Sequence, residues 1–324
     1  MRIHQVCTAL GLSMAFAAGP LAQAADFPER PVTIVVPYAP GGPTDTAGRI
    51  LAQGLQEETG ATFIVENAPG AGATVGAGRV SRAAPDGYTI LWGGKSTHAI
   101  APHLRPDLQY DAFKSFEPIA LVGSQPYIVT VRTDAPYQSV RDLVEKAKAS
   151  PGELNYSSPG IGSAPHLATE LVLVETGSDV RHIPYKGGSP AMMAVLSGEV
   201  DFYLDTPTLP KAQAEGGKAR LLAVTSEERL ADLPDVPTMK ESGYDELTMK
   251  TWFGLFAPAG TPDEIVNWLN EKVNTVMAKP NVAKQLTAAG FDVEPMSVEQ
   301  YTDFIKSENQ RWGEIIEKAQ VTLD

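Results

Sequence analysis

Cysteine is almost missing. The only one among 324 residues is Cys7, so neither an intramolecular disulfide nor a zinc–thiolate cluster can form. Positive charge is also scarce. Against 39 Asp+Glu stand 26 Lys+Arg, a formal net charge of −13. That balance argues against non-specific nucleic-acid binding, which relies on Lys and Arg to neutralise phosphates. A membrane-spanning run is lacking too, because the apolar stretch Val6 to Ala18 is shorter than the ~20 residues a span needs. His98, His103, His166 and His182 form no helical i, i+4 pair with a carboxylate motif, so no metal site is expected. What remains is ordinary globular composition, 43% hydrophobic and 20% charged. The length suits two domains or one large one.

The first residues read as an address. Met1-Arg2-Ile3-His4 is a short basic start, an apolar stretch follows, and Ala22-Gln23-Ala24 supplies the small-x-small pattern of a signal-peptidase site. A signal peptide over residues 1–24, cleaved after Ala24, is expected, with a buried N-terminal helix as the alternative. Cys7 stands too early to be an acylated lipoprotein cysteine. Loss of this segment removes Arg2 and leaves 25 basic against 39 acidic residues, a net charge of −14.

Beyond it, strands and helices alternate. Val32–Val36 is a short β-branched run, hence a buried strand. A loop through Gly41-Gly42-Pro43 leads to a helix beginning near Thr44 or Asp45, both good N-caps, with Ala47, Ile50, Leu51 and Leu55 on one face. Gly60 is a plausible stop. Strands are expected at Phe63 to Val65 and Tyr88 to Trp92, with a small-residue helix ending near Arg82 between them. This β-α-β-α-β series is the pattern of a parallel sheet covered by helices.

The second half repeats the plan. Ser139 can cap a helix through Ala149. Strands are expected at Leu154 to Ser157, Val180 to Tyr185, Val200 to Leu204 and Ala219 to Val224. Helices should run from Ala164 to about Glu175 and from the loop Lys186-Gly187-Gly188-Ser189 onward. Three more helices are expected near 262–278, 281–289 and 297–318. Two extended segments, Ile119 to Val131 and Leu247 to Pro258, interrupt the alternation. They read as crossings between two α/β lobes, residues 25–122 plus 248–324 and residues 123–247, with hinges near 122–126 and 246–252.

Glycine loops ahead of helices are the chemical signal. A helix N-terminus presents unpaired N–H groups and partial positive charge, and glycine lets a ligand approach that backbone. Together they form an anion site that needs no Lys or Arg. The arrangement occurs at 41–45, 158–164 and 187–190, on both lobes. The alternative is that the glycines only shape tight βα turns. Other motifs fail. Gly94-Lys95-Ser96 resembles the end of a P-loop, but Thr89 occupies the upstream glycine position. Gly70-Ala71-Gly72 has Val75 where a dinucleotide fold needs its third glycine. Gly162-Ser163-Ala164 does not complete a nucleophile elbow, so no catalytic residue is expected. His166, early on its helix, reads first as a packing residue.

In their order and spacing, several short motifs together resemble the Bug family, the periplasmic substrate-binding proteins of tripartite tricarboxylate transporters. They are Pro40-Gly41-Gly42-x-x-Asp45, Asn67-x-Pro69-Gly70-Ala71-Gly72, Ser158-x-Gly160-x-Gly162-Ser163-x-x-His166-Leu167, Pro184-Tyr185-x-Gly187, Gly198-x-Val200-Asp201, Leu233-Pro234-Asp235-Val236-Pro237-Thr238 and Trp252-x-Gly254-x-x-Ala257-Pro258-x-Gly260-Thr261-Pro262. One departure is Ala73, where the family pattern often has another glycine. The resemblance implies an α/β, two-lobed Venus flytrap fold with two crossover strands. It implies a periplasmic receptor for small carboxylates, among them di- and tricarboxylates and aromatic acids, which works with membrane transporter subunits, without cofactor and as a monomer. One ligand carboxylate would be held by backbone groups of two glycine loops, partly through water. Carried over, Tyr38, Gly42, Thr44 and Asp45 stand on one side, and Ser158, Gly162, Ser163 and Ala164 on the other. Asp205 would position water or ligand, and Ser96, Thr97 and His98 would line the variable end of the cleft. A ligand sensor for a signalling receptor and a secreted enzyme on the same scaffold are the alternatives.

Overall fold

The computed structural model describes residues 27–319, so the expected signal peptide lies outside the described residues. Within them the chain forms two five-stranded sheets. In chain order the strands are β1 (Val32–Val36), β2 (Phe63–Asn67), β3 (Thr89–Gly94), β4 (Phe116–Pro126), β5 (Ile128–Arg132), β6 (Asn155–Ser158), β7 (Arg181–Pro184), β8 (Phe202–Asp205), β9 (Ala219–Val224) and β10 (Lys250–Pro258). The sheet orders are β2-β1-β3-β10-β4 and β7-β6-β8-β5-β9. The helices are α1 (Pro43–Thr59), α2 (Thr74–Val80), α3 (Ala101–Leu104), α4 (Val140–Ala149), α5 (Ala164–Thr176), α6 (Gly188–Ser197), α7 (Thr208–Glu215), α8 (Asp263–Met277), α9 (Pro280–Ala288) and α10 (Val298–Ala319).

The strands of the β-α-β-α-β series pair in parallel as expected, and the two crossing strands make both sheets mixed. β1 pairs in parallel with β2 and β3. β10, returning from the second sheet, inserts antiparallel between β3 and β4. In the second sheet β5 plays the same part, antiparallel to β8 and β9. A strand that enters a sheet from the opposite lobe arrives with reversed direction, which local alternation of strands and helices does not reveal.

Local signals account for several helix ends. α1 stops at Gly60, which takes the left-handed conformation at φ 73° and donates to Gln56 O. Its start differs from expectation. Gly42 is the N-cap and Pro43 the first helical residue, because a proline there needs no N–H partner. Thr44 and Asp45 therefore lie inside the first turn. Ser139 caps α4 as expected: its Oγ accepts from Asp142 N, and the Asp142 carboxylate accepts from Ser139 N. Three elements carried no clear sequence signal: the π-helical turn Lys95–Ile100, α3 and α7.

The two sheets share an apolar core. One cluster runs from Val35, Leu91 and Ile100 through Tyr127 and Trp252 to Leu143 and Leu204. A second cluster fills the other face of the first sheet, between β1, α1 and α8. Where the chain passes between the sheets, a single buried threonine ties both crossings. Thr225 Oγ1 accepts from Tyr127 N and donates to Met249 O, while Thr225 N donates to Tyr127 O and Thr225 O accepts from Met249 N.

Candidate functional site

Three of the loops singled out by their glycines converge on one cavity of about 70 Å³. From the first lobe come Tyr38, Gly42 and Thr44. From the second come Ala164, Gly188 and Asp205, and Thr251 and Phe253 of β10 close the end. The starts of α1, α5 and α6 therefore face a common space, and none of the lining side chains is basic. This cavity shares Tyr38, Ala39, Pro159 and Gly187 with a wider groove of about 730 Å³, which carries Arg105 and Lys186.

Asp45, expected on the ligand side, is tied into the first loop. Its Oδ2 accepts from Gly41 N at 3.0 Å and from Arg49 Nε at 3.1 Å, and its Oδ1 accepts from Asn67 Nδ2 at 2.9 Å. Burial pushes this carboxyl up, but these bonds together hold it below its ordinary value. An ionised Asp45 pins the sharp Gly41 turn, where φ is 80°. Gly42 itself needs no glycine conformation, since its φ is −88°. A β-carbon there would have only Ala39 O within 4 Å, at 3.8 Å.

In the second loop Ser163 is the N-cap of α5, its Oγ accepting from His166 N. Gly162 N donates to His166 Nδ1 at 3.2 Å. Beneath this loop the imidazoles of His166 and His182 stack with centroids 4.1 Å apart, and the Ser158 hydroxyl bonds His182 Nε2 at 2.6 Å. Burial pushes His166 down to about 3 and His182 down to about 4, so both rings are neutral near pH 7. Ser158, Gly162 and Ser163 thus hold the loop in shape and lie behind the cavity wall, while Pro159 and Ala164 form that wall.

The turn after β3 splits in two directions. Ser96 reaches the cleft: its Oγ accepts from Tyr38 OH at 3.1 Å and from Ala164 N at 2.9 Å. Thr97 and His98 turn into the core. Thr97 Oγ1 accepts from Gly94 N, and His98 lies flat against Phe256 at 3.7 Å between ring centroids. Burial drives His98 down to about 3. Lys95 also faces away, with Nζ donating to Lys250 O, 3.4 Å from Glu308 and 4.5 Å over the Trp312 ring.

The twelve expected residues therefore fall into three groups. Tyr38, Gly42, Thr44, Ala164 and Asp205 line the cavity. Ser96, Asp45, Ser158, Gly162 and Ser163 position those residues or their loops. Thr97 and His98 belong to the core. Sequence reasoning passed over Thr251 and Phe253, which lie on a crossing strand without a local signal. Gly188 and Ser189, from the glycine loop at 187–190, also line the cavity.

Along the same cleft the lobes touch. Arg105 Nη2 donates to Ile161 O at 3.1 Å. A β-carbon on Gly72 would come within 2.7 Å of Ile161 O, and one on Gly187 within 3.3 Å of Ala39 Cβ. Glycine at 72 thus permits close backbone approach between the two rims.

The family model of the "Tripartite tricarboxylate transporter family receptor" matches residues 47–321. The chain belongs to this receptor family. Among relatives of this receptor is Protein BugT of Bordetella pertussis, 32% identical over 325 residues and covering 100% of both chains. Two solved structures are similar throughout. One is the R. palustris protein Rpa4515 with adipate, at TM-score 0.89 and 32% identity, covering 92% of this chain and 99% of that one. The other is MatC of Rhodopseudomonas palustris with bound malate, at TM-score 0.85 and 33% identity, covering 90% of this chain and 100% of that one. The receptor has the two-lobed fold of these periplasmic binding proteins.

Proposed function

We propose that the receptor captures a small carboxylate, of the di- or tricarboxylate or aromatic-acid class, between its lobes in the periplasm and hands it to the membrane subunits of a tripartite tricarboxylate transporter. One observation carries this reading: the N-terminal ends of α1, α5 and α6 open on a single cavity with no basic side chain in its wall. Backbone N–H groups and helix dipoles stabilise an anion there. The wall adds the Tyr38 and Thr44 hydroxyls. Such a site holds a carboxylate without the ion pair that would slow its release. Adipate and malate, which accompany the two similar structures, are the natural probes.

Gly42 and Thr44 are assigned to the ligand carboxylate beside Ala164, whose N–H is capped by Ser96 Oγ across the lobes, with Tyr38 bracing Ser96. Asp45, Ser158, Gly162 and Ser163 act by positioning the loops. No catalytic residue is assigned, because the Ser158–His182 pair lies outside the cavity wall. The lobes are taken as residues 25–122 plus 248–324 and residues 123–247. Their crossings serve as the hinge, with closure around ligand.

A thermal-shift and calorimetric screen across carboxylic acids tests the reading, since a ligand bound only by the folded state raises the melting temperature. At least one small carboxylate should bind with a stoichiometry of one. A screen in which none of these acids binds, while amines or sugars do, rules it out. Export is expected to remove residues 1–24, and mass spectrometry of the periplasmic form would reveal a start at or near Ala25. Sedimentation should report a monomer.

A further inference from the structure

Asp205 ends β8 in the cavity wall, 3% exposed. Its Oδ1 accepts from Thr206 N at 2.8 Å, whereas Oδ2 has no well-formed hydrogen bond and faces the nearby Tyr203 hydroxyl, also without a partner, beside the start of α6. A β-carbon on Gly188, the first residue of α6, would lie 3.5 Å from that oxygen. Asp205 thus stands beside the helix start assigned to anion binding. The titratable groups around it are phenols: Tyr203 on its own strand, Tyr127 leading into β5 and Tyr38 after β1. Burial raises all three above the ordinary tyrosine value, so they carry no charge near pH 7. α6 and α7 bring Gly188 and Leu209, and β10 brings Thr251, none of them ionisable.

An ionised carboxylate is an acceptor only. Placed against an incoming carboxylate it would repel the ligand and offer it no donor. A neutral carboxyl has an O–H to give, and an O–H···O⁻ bond is among the stronger hydrogen bonds. We propose that Asp205 receives the ligand as the neutral acid, donating from Oδ2 to the bound carboxylate, so that capture takes up one proton. The proton comes from solvent, stays on Asp205 while the anion is held, and returns to solvent on release. This inference rests on the carboxylate-receptor reading above. Burial already pushes Asp205 up to about 7, against the opposing pull of Thr206 N and the Tyr203 hydroxyl. A second negative charge in the cavity raises it further.

The test is calorimetric titration of the intact receptor with adipate and with malate, from about pH 6.5 to about pH 8.5, in buffers of different ionisation enthalpy. Both acids are fully ionised in that range, so protons taken up belong to the protein. Uptake should rise from a small fraction at the acid end to about one per ligand at the alkaline end. The Kd should weaken up to about tenfold per pH unit above about 7. Asp205→Asn carries a permanent donor. It should take up no proton, bind with a pH-independent Kd, and at the alkaline end bind more tightly than the parent. Two results overturn the proposal: saturable binding by the parent without proton uptake, or an Asp205→Asn protein that binds more weakly at every pH. The second would make Asp205 an acceptor for a ligand hydroxyl or ammonium. Should the variant fail to fold, proton uptake by the parent decides alone. Binding without uptake refutes only this inference, while failure of every carboxylate refutes the receptor reading and this inference with it.

Discussion

Ser96 Oγ lies 2.9 Å from Ala164 N, so the turn after β3 in one lobe caps the first backbone donor of α5 in the other. The same hydroxyl oxygen accepts from Tyr38 OH. Both partners line the cavity. Ser96→Ala removes two hydrogen bonds that exist only while the lobes are together or the Tyr38 ring is in place. At about 1 kcal/mol each, their loss should weaken adipate or malate binding up to about thirtyfold. Small-angle scattering should show less compaction at a given ligand concentration than in the parent. An unchanged Kd would show that the bond adds nothing to closure.

Gly42 separates turn geometry from binding. Its backbone is extended, and a β-carbon meets nothing closer than 3.8 Å, so a side chain fits the folded protein. It would project into the cavity. Gly42→Val should abolish carboxylate binding in calorimetry while the melting temperature without ligand changes little. Normal binding by a well-folded variant removes the first loop from the site.

Lys95 should matter to stability and not to ligand. Its ammonium is buried against Glu308 and Trp312, and Lys95 does not line the cavity. Burial drives it down to about 8, against the pull of Glu308. Lys95→Ala leaves Glu308 without that partner, and breaking a buried ion pair costs about 3 kcal/mol or more. The melting temperature should fall clearly, with Kd for adipate within about twofold of the parent where the protein is folded. Loss of all binding in a folded variant would mean that the anion is held by a salt bridge after all.

Three histidines make the fold acid-sensitive. His98 and His166 are pushed down to about 3 and His182 to about 4 by burial, with mutual repulsion adding to the shift of His166. In the unfolded chain they titrate near 6.5. Below that value the unfolded state binds more protons, so stability falls as pH drops from about 6.5 towards about 4. Asp205 works in the opposite sense, because its folded value is raised and protonation there favours the native state. Melting temperatures are therefore best followed in Asp205→Asn, where the fall should be steep. His182→Gln in that background should make it shallower. A slope unaffected by this change assigns the acid sensitivity to other groups.

The elements and the chemistry of their junctions follow from local sequence signals. A β-branched run such as Val32–Val36 must be buried, Ser139 with Asp142 must cap a helix, and Gly60 must end one, because each signal is local and acts within a few residues. The glycine loops ahead of α1, α5 and α6 were legible for the same reason, and their anion-binding character follows from backbone dipoles alone. Which of these groups share a space depends on the packing of distant segments. That packing placed Asp45 against Arg49 and Asn67, sent Thr97 and His98 into the core, and brought Thr251 and Phe253 to the cavity along a strand that crosses between lobes. It also set β10 and β5 antiparallel to their neighbours, making both sheets mixed. These outcomes depend on contacts between residues far apart in the chain, and periodicity and capping carry no information about which distant backbone a side chain will meet.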